Sequence, residues 1–229
     1  MPFLSCRAAL VPPVLLLPVC LFFLQPQPSC AAAAETCTTE GFKPFPLTTK
    51  AGAPLHARLQ DWLQRSVSGP ESIQTSQHPR VRAWRDEIRS GGQADKRKLL
   101  AHVNRVTNKH VIYRTDYAIN RHRDYWHTPH DTLTQGGDCE DIALLKAAEL
   151  YYRGWPTENM YLLVGHTIYK SRRIAHAVLV VRLEGEYLVL DNLQRDVLPY
   201  RQAQLEPAYA LNAKEAMIFY RPQMQTAAP

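Results

Sequence analysis

Cysteine is scarce in this chain: of five in 229 residues, Cys6, Cys20 and Cys30 fall in the first thirty, which leaves Cys37 and Cys139 for everything after them. Two cysteines make no disulfide framework, and Cys37 sits in a Thr-rich stretch, so Cys139 is expected to be a free thiol. Long apolar runs are lacking as well, with no segment approaching about 18 uninterrupted apolar residues. No internal repeat is present, which excludes the stacked repeat architectures. Acidic residues are outnumbered, 21 against 27 Lys and Arg, yet the basic clusters at 80–89 and 121–123 carry no interleaved aromatic stripe. Nucleic acid is therefore not an expected partner, and the clusters read as a solvated face or as a means of steering an acidic partner.

What is present begins with an address. Arg7 is the only charge before Glu35, residues 14–24 form a short apolar run, and Ser29-Cys30-Ala31-Ala32-Ala33-Ala34 offers small residues for cleavage. Residues 1–34 read as a cleaved signal peptide that exports the chain to a periplasm. Lipoprotein anchoring at Cys30 is the lesser reading, because Gln-Pro-Ser before it matches an apolar lipobox poorly; a retained anchor stays open. Residues 35–54, rich in Thr, Pro and Gly, are expected to be an extended leader, and 55–229 a single domain large enough for a real core.

Within that domain the hydrophobic period changes once. Leu55, Leu59, Trp62, Leu63 and Val67 recur at helical spacing, as do Val81, Trp84 and Ile88, and then Leu99, Leu100, Val103 and Val106. A further helix opens at Cys139 and closes at Gly154, a natural residue just past a helix end. Beyond it, residues 160–168, 175–183 and 187–190 have the Val, Leu, Ile and Tyr content of strands. Helices followed by strands give an α+β architecture.

Gly136-Gly137-Asp138-Cys139-Glu140-Asp141 puts the only cysteine of the second half at a helix start, where unpaired backbone N–H groups favour thiolate. A cysteine nucleophile needs a base and a group to orient that base. His176, in an apolar strand, and Asp191, at the end of the next one, could serve, although a lone strand histidine is more often a satisfied core residue. If Glu184-Gly185 is a two-residue hairpin turn, Val178 opposes Asp191 and His176 opposes Leu193, and Asp191 becomes a diagonal neighbour of His176 within reach of its Nδ1–H. A slip of one residue would put the two on opposite faces.

Asp138, Glu140 and Asp141 crowd the sulfur and oppose its ionisation. One acid would suffice to complement the helix dipole; three adjacent carboxylates also suit Ca2+, whose charge would offset the repulsion. Asn159, just before the next strand, is a further candidate oxygen donor. A zinc site at His127-Thr128-Pro129-His130 is a weaker reading, because Pro129 argues against the helix that would align both rings. Trp126 reads equally as a cleft wall and as a core residue.

Taken in order, Tyr113-Arg114-Thr115-Asp116, Asp124-Tyr125-Trp126-His127-Thr128-Pro129, Gly137-Asp138-Cys139-Glu140-Asp141, Ala175-His176-Ala177-Val178-Leu179 and Leu190-Asp191-Asn192-Leu193 resemble the bacterial transglutaminase-like cysteine proteinases of the LapG type, over roughly residues 55–200. The resemblance implies a papain-like or transglutaminase-like core, an N-terminal helical lobe against a C-terminal antiparallel sheet. It also implies a Cys139, His176 and Asp191 triad and calcium held by the acids beside the cysteine. The implied activity is periplasmic cleavage of the N-terminal region of a large repeat adhesin at a dialanine-type site, releasing the adhesin and promoting biofilm dispersal. The implied partner is an inner-membrane cyclic diguanylate receptor that sequesters the protease. A transglutaminase or amidase would share the acyl-enzyme chemistry, and a non-catalytic calcium-binding adaptor would need no triad at all.

Overall fold

The computed structural model describes residues 43–68, 72–91, 95–121 and 124–220. The signal segment, Cys30 and Cys37 lie outside the described residues. Thirteen named elements follow: β1 (Lys43–Pro46), α1 (Thr49–Ser68), α2 (Pro79–Arg89), α3 (Lys96–His110), α4 (Asp116–Asn120), α5 (Pro129–Gln135), α6 (Cys139–Tyr152), β2 (Met160–Tyr169), β3 (Arg172–Leu183), β4 (Glu186–Leu190), β5 (Leu198–Pro199), β6 (Leu205–Leu211) and β7 (Ala216–Tyr220). The strands form one antiparallel sheet in the order β1-β7-β6-β2-β3-β4-β5.

Helices α2 and α3 start where the sequence supplies a cap. His78 Nδ1 accepts from Arg80 N–H ahead of α2, with Pro79 at the position where a missing N–H costs nothing. Asp95 Oδ1 accepts from Lys98 N–H at 3.0 Å ahead of α3. The last turn of α3 is basic, and Lys109 and His110 both reach Glu87 of α2 at 2.8 Å. Hydrogen bonds from Lys109 and then from His110 hold the Glu87 carboxyl down at about 2. The expected extended leader ends earlier than residue 54. Thr48 Oγ1 accepts from Ala51 N–H at 3.2 Å, and this start lets α1 run from Thr49 with Pro54 inside it.

Helix α6 is the centre of the packing. It buries Ile142, Ala143, Leu144, Leu145 and Leu150 around its whole circumference rather than along one stripe. The same core takes Trp62 from α1, Val81, Trp84 and Ile88 from α2, and Leu99, Leu100, Val103 and Val106 from α3, all against Leu162, Leu179, Val181 and Leu190 of the sheet. Fully burying one such side chain contributes about 1.5–3 kcal/mol. The other sheet face is also apolar, with Leu163, Val178, Val180, Val189 and Phe219 packed beside Tyr200 and Leu205. Because both faces are buried, residues 177–181 form an unbroken apolar run rather than an alternating one.

The β3–β4 hairpin has the register expected from its turn. Leu179 pairs with Leu190 and Val181 with Leu188, and Glu184 and Gly185 both have positive φ, at 54° and 83°. Strand β6 was not legible, because Pro207 argues against a ladder position. The structure accommodates that proline at a register shift opposite Val164 and Gly165. The neighbouring backbone presses in there: a Cβ on Gly165 would stand 2.2 Å from Glu206 O and 2.9 Å from Pro207 Cα. Gly165→Ala is therefore expected to destabilise the fold by about 1–3 kcal/mol, read as a lowered Tm in thermal unfolding. A Tm equal to the native value would show that β6 can move aside.

Candidate active site

The loop ahead of Cys139 is pinned before the helix begins. Tyr113 and Gly137 form a parallel bridge, with Arg114 N–H donating to Gly137 O at 3.0 Å and Gly137 N–H to Ile112 O at 3.2 Å. Asp141, wholly buried, reaches back from the first turn of α6 and accepts the Asp138 N–H through Oδ2 at 3.2 Å. Only glycine fits at 137, since a Cβ there would lie 2.6 Å from that same oxygen.

The Asp141 carboxylate also faces inward. Oδ1 accepts His127 N–H and Oδ2 meets His127 Nδ1, each at 2.8 Å. The other ring nitrogen, Nε2, meets Asn120 Nδ2 at 2.8 Å, and the buried Asp116 stands 3.6 Å from Nδ1. Burial opposes protonation of His127, but the hydrogen bond and charge of Asp141, followed by the charge of Asp116, outweigh it and raise the imidazole pKa. His130 turns to Ser76 Oγ at 3.2 Å, so the His127 and His130 rings do not converge on a zinc ion. Trp126 is 3% exposed, packed in the core beneath Arg58, whose Cζ lies 4.1 Å above the ring.

Cys139 is half-buried and free, and its thiol donates to Glu140 Oε2 at 3.1 Å. Burial, and then the charge of Glu140, push the thiol pKa far up, opposed by a hydrogen bond from the Ala177 N–H. That N–H belongs to the residue after His176, so β3 brings the histidine's neighbour directly to the sulfur. His176 is 3% exposed, and its Nε2 lies 2.7 Å from Asp191 Oδ1. The same oxygen accepts Leu193 N–H at 2.8 Å. The histidine and aspartate thus meet as their register predicts, but through Nε2 rather than the expected Nδ1.

Of the four candidate metal ligands, the structure keeps two together. Asp138 and Glu140 each bring an oxygen within 4.8 Å of the other and of the sulfur. Burial raises the Asp138 pKa well above the carboxylate range, helped by its hydrogen bond to Glu140, and Asp138 Oδ1 is buried without a hydrogen-bond partner among the described residues. An orphaned oxygen beside a second carboxylate is a donor set that suits a hard cation. Asp141 does not belong to it, because both its oxygens are spent on His127 and the Asp138 backbone. Asn159 lies in the short 3-10 turn Thr157–Asn159, past the end of α6 and just ahead of β2.

Residues that the sequence reading left unassigned also converge here. Tyr113, bridged to Gly137 but 57% exposed, has its phenol pKa raised by the burial of its inner part and by the charges of Cys139, Asp138 and Glu140. Tyr209 is raised by burial and by Asp124, with smaller effects from Glu140 and Cys139. Tyr113 lay within a motif; Tyr209 on the unpredicted β6 gave no signal.

A family model described as bacterial transglutaminase-like cysteine proteinase matches residues 77–213. Among solved structures, calcium-bound LapG of Legionella pneumophila is 27% identical, with 70% of this chain and 87% of that one covered and a TM-score of 0.52. The EGTA-treated form is 27% identical over 70% of this chain and 84% of that one, with a TM-score of 0.51. No curated protein matches the chain.

A histidine whose folded pKa is raised contributes stability in full below its unfolded value, about 6.5, and loses it as pH rises through the folded value. His127→Asn is accordingly expected to lower Tm more at pH 6 than at pH 9. An equal loss at both pH values would mean that the His127 charge contributes nothing.

Proposed function

Because the chain belongs to the bacterial transglutaminase-like cysteine proteinases and is a cysteine protease, we propose that it is a calcium-dependent endopeptidase acting through Cys139, His176 and Asp191. The observation that carries this reading is the 2.7 Å bond from His176 to Asp191, on the strand whose next N–H meets the Cys139 sulfur. His176 takes the thiol proton as the sulfur attacks the scissile carbonyl, and returns it to the leaving amine as the C–N bond breaks. Water then hydrolyses the thioester by the same proton route. Asp191 holds the ring through Nε2 and stabilises the imidazolium. The Cys139 N–H, at a helix start, is one donor for the tetrahedral oxyanion.

Asp138 and Glu140 would hold Ca2+. Bound there, its charge offsets the two carboxylates that otherwise oppose the thiolate. The calcium-bound Legionella protein supports this reading. The substrate is the N-terminal region of a large repeat adhesin, cut at a dialanine-type site in the periplasm to release it and disperse biofilm. An inner-membrane cyclic diguanylate receptor sequesters the enzyme. These last assignments rest on the resemblance of the five ordered motifs.

Incubation of the purified protein with a dialanine-containing adhesin fragment should yield a new N-terminus, sensitive to EGTA and restored by Ca2+. Cys139→Ala and His176→Ala should reduce cleavage to background, and the Asp138→Ala, Glu140→Ala double variant should behave like the native protein in EGTA. Crosslinking or ammonia release without backbone cleavage would replace the protease reading with a transglutaminase or amidase. Full activity in excess EGTA would remove calcium and leave the triad standing.

A further inference from the structure

Lys146 lies about two turns along α6 from Cys139 and is completely buried in the core. Its Nζ donates to Asn104 Oδ1 on α3 at 2.7 Å, and burial pushes its pKa down to about 7 against the attraction of Asp191. An ammonium held by one amide oxygen is a costly core residue, and methionine would fill the space without that cost. Its retention points to something packing does not supply.

The orientation of Asn104 is what it supplies. An ammonium only donates and a backbone carbonyl only accepts, so an amide between the two has one satisfactory orientation. With Oδ1 on Lys146, Asn104 Nδ2 donates to Gln194 O at 3.1 Å and Arg195 O at 3.2 Å. One turn further along α3, Asn108 Nδ2 donates to Asp191 O at 2.9 Å and Gln194 O at 3.2 Å. Residues 191–195 have no regular secondary structure of their own; these two amides clamp them to α3.

We propose that Lys146 is a positioning residue, fixing the Asn104 amide so that α3 holds the 191–195 segment and seats the Asp191 carboxylate on His176. The inference rests on the catalytic reading of Cys139, His176 and Asp191.

The test is Lys146→Met, compared with native protein for kcat and KM on the adhesin fragment, thermal unfolding, and the rate of Cys139 alkylation by iodoacetamide followed by peptide mass spectrometry. The expected result is a kcat lower by about tenfold to a hundredfold, as for a small misplacement in a site, with KM held, Tm equal or higher, and alkylation slowed. A folded variant with kcat within about twofold of native, or a loss expressed only in KM, overturns the proposal. If Lys146→Met does not fold, Asn104→Asp decides by the same criteria, since it keeps a partner for the ammonium and removes both donors from the loop. If the native protein cuts no fragment, the protease reading fails separately, and alkylation alone decides the role of Lys146: a native rate in the variant overturns it.

Discussion

The buried carboxylate of Asp141 is the constraint on which the placement of Cys139 depends. In one side chain it closes the first turn of α6 onto the Asp138 N–H, grips both the backbone and the ring of His127, and fills the space that Gly137 leaves open. The position of the sulfur follows from the start of α6, and the start of α6 follows from this carboxylate. Trp62 Nε1, donating to His127 O at 2.8 Å, extends the same lock to α1. The helical lobe and the loop that carries Cys139 thus share one polar anchor.

Two opposing electrostatic environments meet within α6. On the inner side, Asp141 is matched by a histidine it keeps inclined to protonation. On the outer side, Asp138 and Glu140 face each other and the thiol, with no cation among their hydrogen-bond partners in the described residues. Burial and like charge therefore act together against the thiolate, and the Ala177 N–H is too small a counterweight. A fold that needed only a reactive cysteine would have one acid here, or a basic neighbour. The second carboxylate makes sense as half of a cation site.

Much of this was legible in the sequence, for identifiable reasons. The hairpin at Glu184-Gly185 is specified by local turn chemistry, so its register, and with it the meeting of His176 and Asp191, could be read from spacing. Which imidazole nitrogen faces Asp191 depends on how the ring turns in its pocket, and spacing carries no such information. The three acids looked equivalent as neighbours in sequence, but successive helical residues point about 100° apart, and Asp141 alone turns into the core. Lys146 was not singled out in the sequence, where it is one of several charges on its helix, and its partner Asn104, distant in sequence, gave no signal. Strand β6 was hidden by Pro207, whose tolerance depends on a bulge that only tertiary pairing creates.

The β3–β4 hairpin has a further consequence, for the order in which the domain assembles. His176 and Asp191 are 15 residues apart, joined by one tight turn, and loops of that length close cheaply and fast. Cys139 reaches them only once α6 has docked on the sheet, a non-local event and therefore a slower one. The contact of His176 with Asp191 is thus a product of early local folding, whereas Cys139 joins them late. A nascent chain would hold its cysteine apart from its base until the core has closed around α6.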